Sequence, residues 1–315
     1  MKGNQNQSRV LRRSRDRFAT RLRNDCAKKV ADQVLKTQTV KGLSVRRFCQ
    51  YQGISRQAHY QQQQRNRRRT QSHDELVHAV IRIRQSHPRM GTRKLHNLLQ
   101  QQGLRIGRDR LFDLLRHHRL LVTRKRAYHK TTHSHHRFYR HPNLLKPGPN
   151  RITPTRPNQV WVADITYLPV RQGEAYLSLI TDAHSRKIVG HHVHDNLKTA
   201  SVIQAFKKAL RSRKEKTDLI HHSDRGIQYC SEQYQDVHKK HGVRCSMTDG
   251  YDCYQNALAE RVNGIIKNEY LIVKPRDIEE ARRMVDESII QYNQHRPHLS
   301  LNYKTPDEVH RASAK

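Results

Sequence analysis

From residue 159 to 247 the chain switches repeatedly between two hydrophobic periods, and few architectures accommodate that switching. Apolar residues alternate over 160–170, 175–181 and 187–194, take helical spacing over 202–210, and return as short strand-like runs at 219–222 and 243–247 on either side of a helical stretch, 232–241. Three strands joined by short turns, followed by two reached through helices, predict an α/β fold: a mixed five-stranded sheet with helices on its faces.

Three carboxylates sit at informative places in this pattern. Asp164 follows the alternating Val160 and Val162, and Asp224 closes the run that begins at Leu219. Glu260 lies in an amphipathic helical stretch, with thirty-five residues between it and Asp224, and Lys267 follows it by seven. At about 100° per residue, Leu258, Val262 and Ile265 fall on the far side of that helix, and Asn256, Asn263, Gly264 and Lys267 lie within about 60° of Glu260. One helix face then packs on the sheet while the other presents an acid, two amides and a cation. A single strand-end Asp usually caps a turn, and a single helical Glu is usually solvated, so the weight rests on the three together. Asp182, before Ser185 and Arg186, reads as a turn acid, and Asp249 and Asp252 read as part of a loop containing Gly250.

Charge says what such acids would serve. The chain has 62 Lys and Arg against 27 Asp and Glu, a net charge of +35 that is densest before residue 141. An excess of that size suits a phosphate backbone. Acids gathered within such a protein suit two Mg²⁺ or Mn²⁺ ions that neutralise a phosphodiester as it reacts. Phosphoryl transfer on nucleic acid is the reaction class this predicts, with Asp164, Asp224 and Glu260 as catalytic metal ligands. Lys267, Asn256 and Asn263 are candidate DNA contacts beside them.

The front half reads as helical. Ser44 can cap a short helix bearing Val45 and Phe48, Gly53 supplies a turn, and Ser55 can cap a second helix bearing Arg56, Gln57 and His59. This is a helix-turn-helix outline at about 43–64, with Arg56 and Gln57 as candidate DNA contacts. The polar run 61–69 reads as a linker. Apolar periodicity then returns around Leu76, Leu95 and Leu111, interrupted at Pro88 and Gly103, as three short helices with Arg108 and Arg110 as further DNA candidates.

The remaining features narrow the setting. Five cysteines without a CxxC pair predict no disulfide framework and a reducing cytoplasm. No apolar run is long enough for a membrane span. His129, His133, His135, His136 and His141 lack a cysteine pair, so phosphate contact is a simpler role for them than zinc. Near the end, Asp277 and Glu280 suggest a capping box before a helix bearing Ala281, Val285, Ile289 and Tyr292, and 305–308 carries the signals of another helix start. Arg296-Pro-His between them reads as a structural tie.

The segments around the acids, Val-Ala-Asp-Ile-Thr-Tyr at 162–167, His-Ser-Asp-Arg-Gly-Ile-Gln-Tyr at 222–229 and Asn-Ala-Leu-Ala-Glu-Arg-Val-Asn-Gly-Ile-Ile-Lys at 256–267, resemble the DDE transposases of bacterial insertion sequences. Residues 292–308 resemble the segment that closes the retroviral-integrase-like core of their OrfB-type proteins. The resemblance spans about residues 75–312 and implies an RNase H-like core, the triad Asp164, Asp224 and Glu260, and cleavage and joining of double-stranded DNA at element ends and target. It further implies a homo-oligomer on DNA and, as in many relatives, a separate upstream-frame accessory protein. The organisation expected is a basic region at 1–69, a second helical DNA-binding unit at 70–122, a basic connector at 123–157, the catalytic core at 158–273 and a closing helical segment at 274–315. Two rival readings are a structure-selective nuclease on the same fold and a helix-turn-helix regulator with an inactive core. Joined product, cleavage alone and binding alone in a strand-transfer assay separate the three.

Overall fold

The computed structural model describes residues 44–123, 139, 141–149, 151–213, 217–249 and 256–312. The basic stretch 1–43, Asp252 and four of the five singled-out histidines, all but His141, lie outside the described residues. The chain forms two compact units, Met1–Glu75 and Leu76–Lys315.

In the first unit the helix-turn-helix outline is present. Helix α1, Val45–Gln52, begins where Ser44 accepts from the Arg47 amide, and it ends at Gly53, whose φ of 63° is left-handed. That conformation is nearly free for glycine and strained for most other residues. Ser55 accepts from the Ala58 amide at 3.1 Å at the head of α2, and Phe48 packs edge-on against His59. Helix α2 is Arg56–Ser86, so residues 61–69 are helical and not a linker. The run is polar on all sides, but Gln and Arg are good helix formers and neither Gly nor Pro interrupts them.

In the second unit, Leu76, Val80, Leu95, Leu99, Leu111 and Leu115 form one small core. It joins the C-terminal end of α2 to α3 (Thr92–Gln101) and α4 (Arg108–His117), with breaks at Pro88 and Gly103 as the sequence predicts. Beyond it lies a five-stranded sheet of β1 (Val160–Leu168), β2 (Ala175–Asp182), β3 (Ile188–His194), β4 (Leu219–Ser223) and β5 (Val243–Met247). The spatial order is β3-β2-β1-β4-β5, antiparallel between the first three and parallel between β1, β4 and β5. The mixed sheet is as expected, and β1 is its central strand.

Period-2 alternation on β1 divides two cores. Trp161 and Ala163 face α5 (Thr199–Ser212), α6 (Ile227–Cys230) and α7 (Glu232–Lys240), whose Phe206, Tyr229 and Tyr234 fill that side. Gly190 on β3 is where α5 comes closest: a Cβ there would stand 2.3 Å from the Ala205 carbonyl oxygen. Leu168 faces α8 (Ala257–Ile265) and α9 (Ile278–His295), packing with Val262, Val285 and Tyr292. Val160 and Val162 are covered by Ala259 of α8 and by Leu144, Leu145 and Ile152. Residues 141–149 of the expected connector are therefore anchored, and the Leu144 amide donates to Ser246 Oγ at 3.0 Å.

The chain closes as its capping signals suggest. Asp277 accepts from the Glu280 amide to start α9, and Thr305 and Glu308 exchange side-chain-to-backbone hydrogen bonds ahead of α10 (Pro306–Ala312). Asp182 is fully buried and accepts from the amides of Asn158, His184 and Ser185, which makes it a turn acid. No helix among the described residues is long and apolar enough to cross a membrane.

Candidate active site

Parallel pairing of β1 and β4 brings the first two acids together. With Val160 opposite Ile220 and Val162 opposite His222, Asp164 and Asp224 emerge at the same end of adjacent strands. They line one pocket with Ile165, Leu197, Gly226, Gln228 and Tyr229. The Asp164 carboxyl is enclosed although the residue keeps some exposure, and burial together with the charge of Asp224 pushes its pKa up to about 8. A carboxyl whose ionisation is penalised in this way by burial and a neighbouring carboxylate is stabilised in its charged form by a divalent cation beside it.

Each carboxylate is held by a neighbour. Asn263 of α8 donates its side-chain N–H to Asp164 Oδ2 at 2.8 Å, and the Gly226 amide donates to Asp224 Oδ1 at 3.0 Å. A Cβ on Gly226 would itself lie 3.0 Å from that oxygen, so the turn brings backbone unusually close to the acid.

Glu260 stands on α8 with its side chain exposed, and its pKa is raised by partial burial and then by the charge of Asp224. Among the described residues no three His, Cys, Asp or Glu converge closely enough to hold an ion by themselves. The donor set still fits a hard divalent cation: Asp164 and Asp224 supply oxygen ligands at one pocket, and Glu260 is near enough to feel Asp224's charge.

The remaining predicted contacts divide. Lys267 donates from Nζ to Thr166 Oγ1 at 3.1 Å. Thr166 is two residues beyond Asp164 and on the same face of β1, and Asp164's charge raises the lysine pKa against the larger lowering by burial. Asn256 and Asn263, placed by the helical wheel on an open face, are buried: Asn256 donates to the Ala163 carbonyl at 3.0 Å and Asn263 to Asp164. Strand β1 crosses that flank of α8, so the side-chain N–H groups of both asparagines donate within the fold. Arg56, Gln57, Arg108 and Arg110 are exposed, and Arg108 pairs with Asp109 at 2.9 Å. Thr166 and Gly226 were not singled out from sequence. The period of β1 could have revealed the first, since residues 164 and 166 share a face.

The helix bearing Glu260 does not stay α-helical. Ile266–Tyr270 forms a wider π turn, and Lys267 sits at its start, where the backbone of Ile265 and Ile266 is still α-helical. Within that turn Glu269 receives two hydrogen bonds from Arg296, from Nε and Nη2, each at 2.8 Å. That fork supports the reading of Arg296-Pro-His as a structural tie.

Comparison with known proteins shows which family the chain resembles. A family model described as "Integrase core domain" matches residues 154–253, a second with the same description matches 241–306, and "HTH-like domain" matches 71–128. The chain is 36% identical over 263 residues to the "Insertion element IS600 uncharacterized 31 kDa protein" of Shigella sonnei, covering 82% of this chain and 96% of that one. It is 33% identical over 174 residues to the "Transposase for insertion sequence element IS904" of Lactococcus lactis subsp. lactis, covering 53% of this chain and 66% of that relative. Among solved structures, the HTLV-2 integrase catalytic core domain in complex with magnesium overlaps at a TM-score of 0.40 and 20% identity, covering 50% of this chain and 98% of that one. An overlap that loose carries no argument.

Proposed function

The chain belongs to the DDE transposases of bacterial insertion sequences, and from that premise we propose that Asp164, Asp224 and Glu260 are the residues that hold its catalytic metal ions. As a transposase it is a polynucleotidyl transferase with an integrase core and an HTH-like domain, and DNA is its substrate. The observation that carries the residue assignment is the convergence of Asp164 and Asp224 on one pocket, with Glu260 electrostatically coupled to Asp224.

Two Mg²⁺ or Mn²⁺ ions bound by these acids would lower the pKa of the attacking water or 3′-hydroxyl and neutralise charge on the leaving oxygen. The chain's own groups prepare the site. Asn263 fixes the carboxylate of Asp164, and the Gly226 amide fixes that of Asp224. Lys267, restrained against Thr166, places a cation beside the acids where it can contact a phosphate of the DNA end. Arg56, Gln57, Arg108 and Arg110 are exposed positions from which the helical modules would contact DNA, and pairing of two element ends favours a homo-oligomer of the chain.

The test is a strand-transfer assay with duplexes carrying the inverted repeats that flank the gene. Asp164→Asn, Asp224→Asn and Glu260→Gln should each abolish cleavage and joining while DNA binding persists, because the amide keeps shape and loses the charge that holds metal. Near-wild-type turnover in any one of them removes that residue from the triad.

A further inference from the structure

The π turn that carries Lys267 toward the site also carries, on Glu269 and Tyr270, its grip on the helical module. Glu269 takes the Arg296 fork and, at 3.5 Å, the ammonium of Lys94 from α3. The Lys94 side chain is only 13% exposed and that of Arg296 3%. The next residue, Tyr270, meets His87 Nδ1 through its hydroxyl at 3.0 Å. Arg296 is braced further by His298 Nε2 at 2.9 Å and by the ring of Tyr292.

Two cations on one carboxylate are more than the fold needs to neutralise Glu269. Arg296 alone neutralises Glu269 and gives each oxygen one hydrogen bond, and burying a second ammonium beside it costs free energy. Burial and the nearby guanidinium lower the Lys94 pKa to about 8. What Lys94 adds is a link from α3, within the region matched by the HTH-like model, to the turn that contains Lys267. A π turn is an insertion into helical register and is often found at functional sites. Its neighbours therefore decide where its side chains point.

We propose that Lys94 is a positioning residue for DNA joining, acting through Glu269 on the turn that aims Lys267, so that the helical module and the active site are mechanically coupled. The proposal rests on the reading of Lys267 as the cation that places the DNA end. Lys94 touches neither metal nor reacting phosphate in it.

The experiment is a double-mutant cycle on the full chain. Its probe is a duplex with a recessed 3′-hydroxyl carrying the flanking inverted repeat, and single-turnover joining is measured at saturating DNA. Lys94→Met should lower joining about tenfold with duplex affinity and thermal unfolding near wild type, and Lys94→Arg should recover much of the loss. In a Lys267→Ala background Lys94→Met should add nothing. Lys94→Gln, which leaves the Arg296–Glu269 pair intact and removes only the ammonium, is the second variant and should follow the same pattern if Lys94→Met folds poorly. Wild-type joining in both variants overturns the proposal, and so does a loss that multiplies with that of Lys267→Ala or appears only as weaker duplex binding. Wild-type joining by Lys267→Ala itself overturns the reading of Lys267 and the proposal with it, whereas an impaired Lys267→Ala beside an unimpaired Lys94→Met overturns the proposal alone.

Discussion

Asn263 donates to Asp164 across the interface between α8 and β1, at 2.8 Å, and so the helix that carries one proposed catalytic acid, Glu260, also orients another. The bond opposes the rise in Asp164's pKa caused by burial and by Asp224. A hydrogen bond to a charged group contributes about 1.5–3 kcal/mol, so Asn263→Ala should raise the Mg²⁺ concentration needed for half-maximal joining by about 10- to 100-fold. DNA affinity should stay the same. Unchanged metal dependence with weakened DNA binding would return Asn263 to the role of a DNA contact.

Gly226 presents the second case of close fit. Its backbone is extended at φ −61°, so alanine meets no conformational strain, and the tightest contact of the new Cβ is the Asp224 oxygen at 3.0 Å. Gly226→Ala should displace that carboxylate slightly, lowering joining about tenfold while the unfolding midpoint barely moves. A large loss of stability with intact activity per folded molecule would show that the turn, not the acid, is what the glycine protects.

Arg296 is the strongest single tie in the closing segment. Removing one partner of a buried pair costs about 3–5 kcal/mol, and Arg296→Met should fall near 3 because Lys94 remains beside Glu269. Arg296→Lys should recover less than half, since an ammonium cannot form the fork. Urea unfolding followed by the fluorescence of Trp161, the sole tryptophan and fully buried in the sheet core, measures both. Equal stability of Arg296→Met and the parent would demote the tie to a surface contact.

Buried histidines should make the core acid-sensitive. Burial pushes His238 down to about 4, and burial with the charge of Arg296 pushes His298 down to about 2. Below pH 6.5 the unfolded chain binds protons that these folded imidazoles refuse, so stability is full above that pH and falls as pH drops toward 4. Asp164 acts with the opposite sign: a carboxyl raised to about 8 loses stability as pH rises through neutrality, and the measurement therefore belongs in Asp164→Asn. In that variant each such histidine should remove about 2 kcal/mol between pH 7 and pH 5, read from the urea midpoint of Trp161. His238→Leu should flatten the slope. Identical midpoints at the two pH values would contradict this account.

Much of this protein follows from local rules. Strand periods, the caps at Ser44, Ser55, Asp277 and Thr305, the left-handed Gly53 and the buried turn acid Asp182 depend on residues a few positions apart, so one chain segment states each of them. The three candidate catalytic acids could be picked out from their places in the strand and helix periods, and their segments also resemble one family. The helical wheel correctly put Asn256 and Asn263 near Glu260, but a wheel does not say what lies across from a face. Only tertiary structure laid β1 along that flank and turned both amides inward. It also set β4 beside β1, since a parallel neighbour is reached by a crossover and leaves no periodic mark on either strand. The π turn at Ile266–Tyr270 and the Lys94–Glu269–Arg296 cluster belong to the same class. The cluster pairs charges far apart in sequence, which meet only after the sheet and its helices have packed.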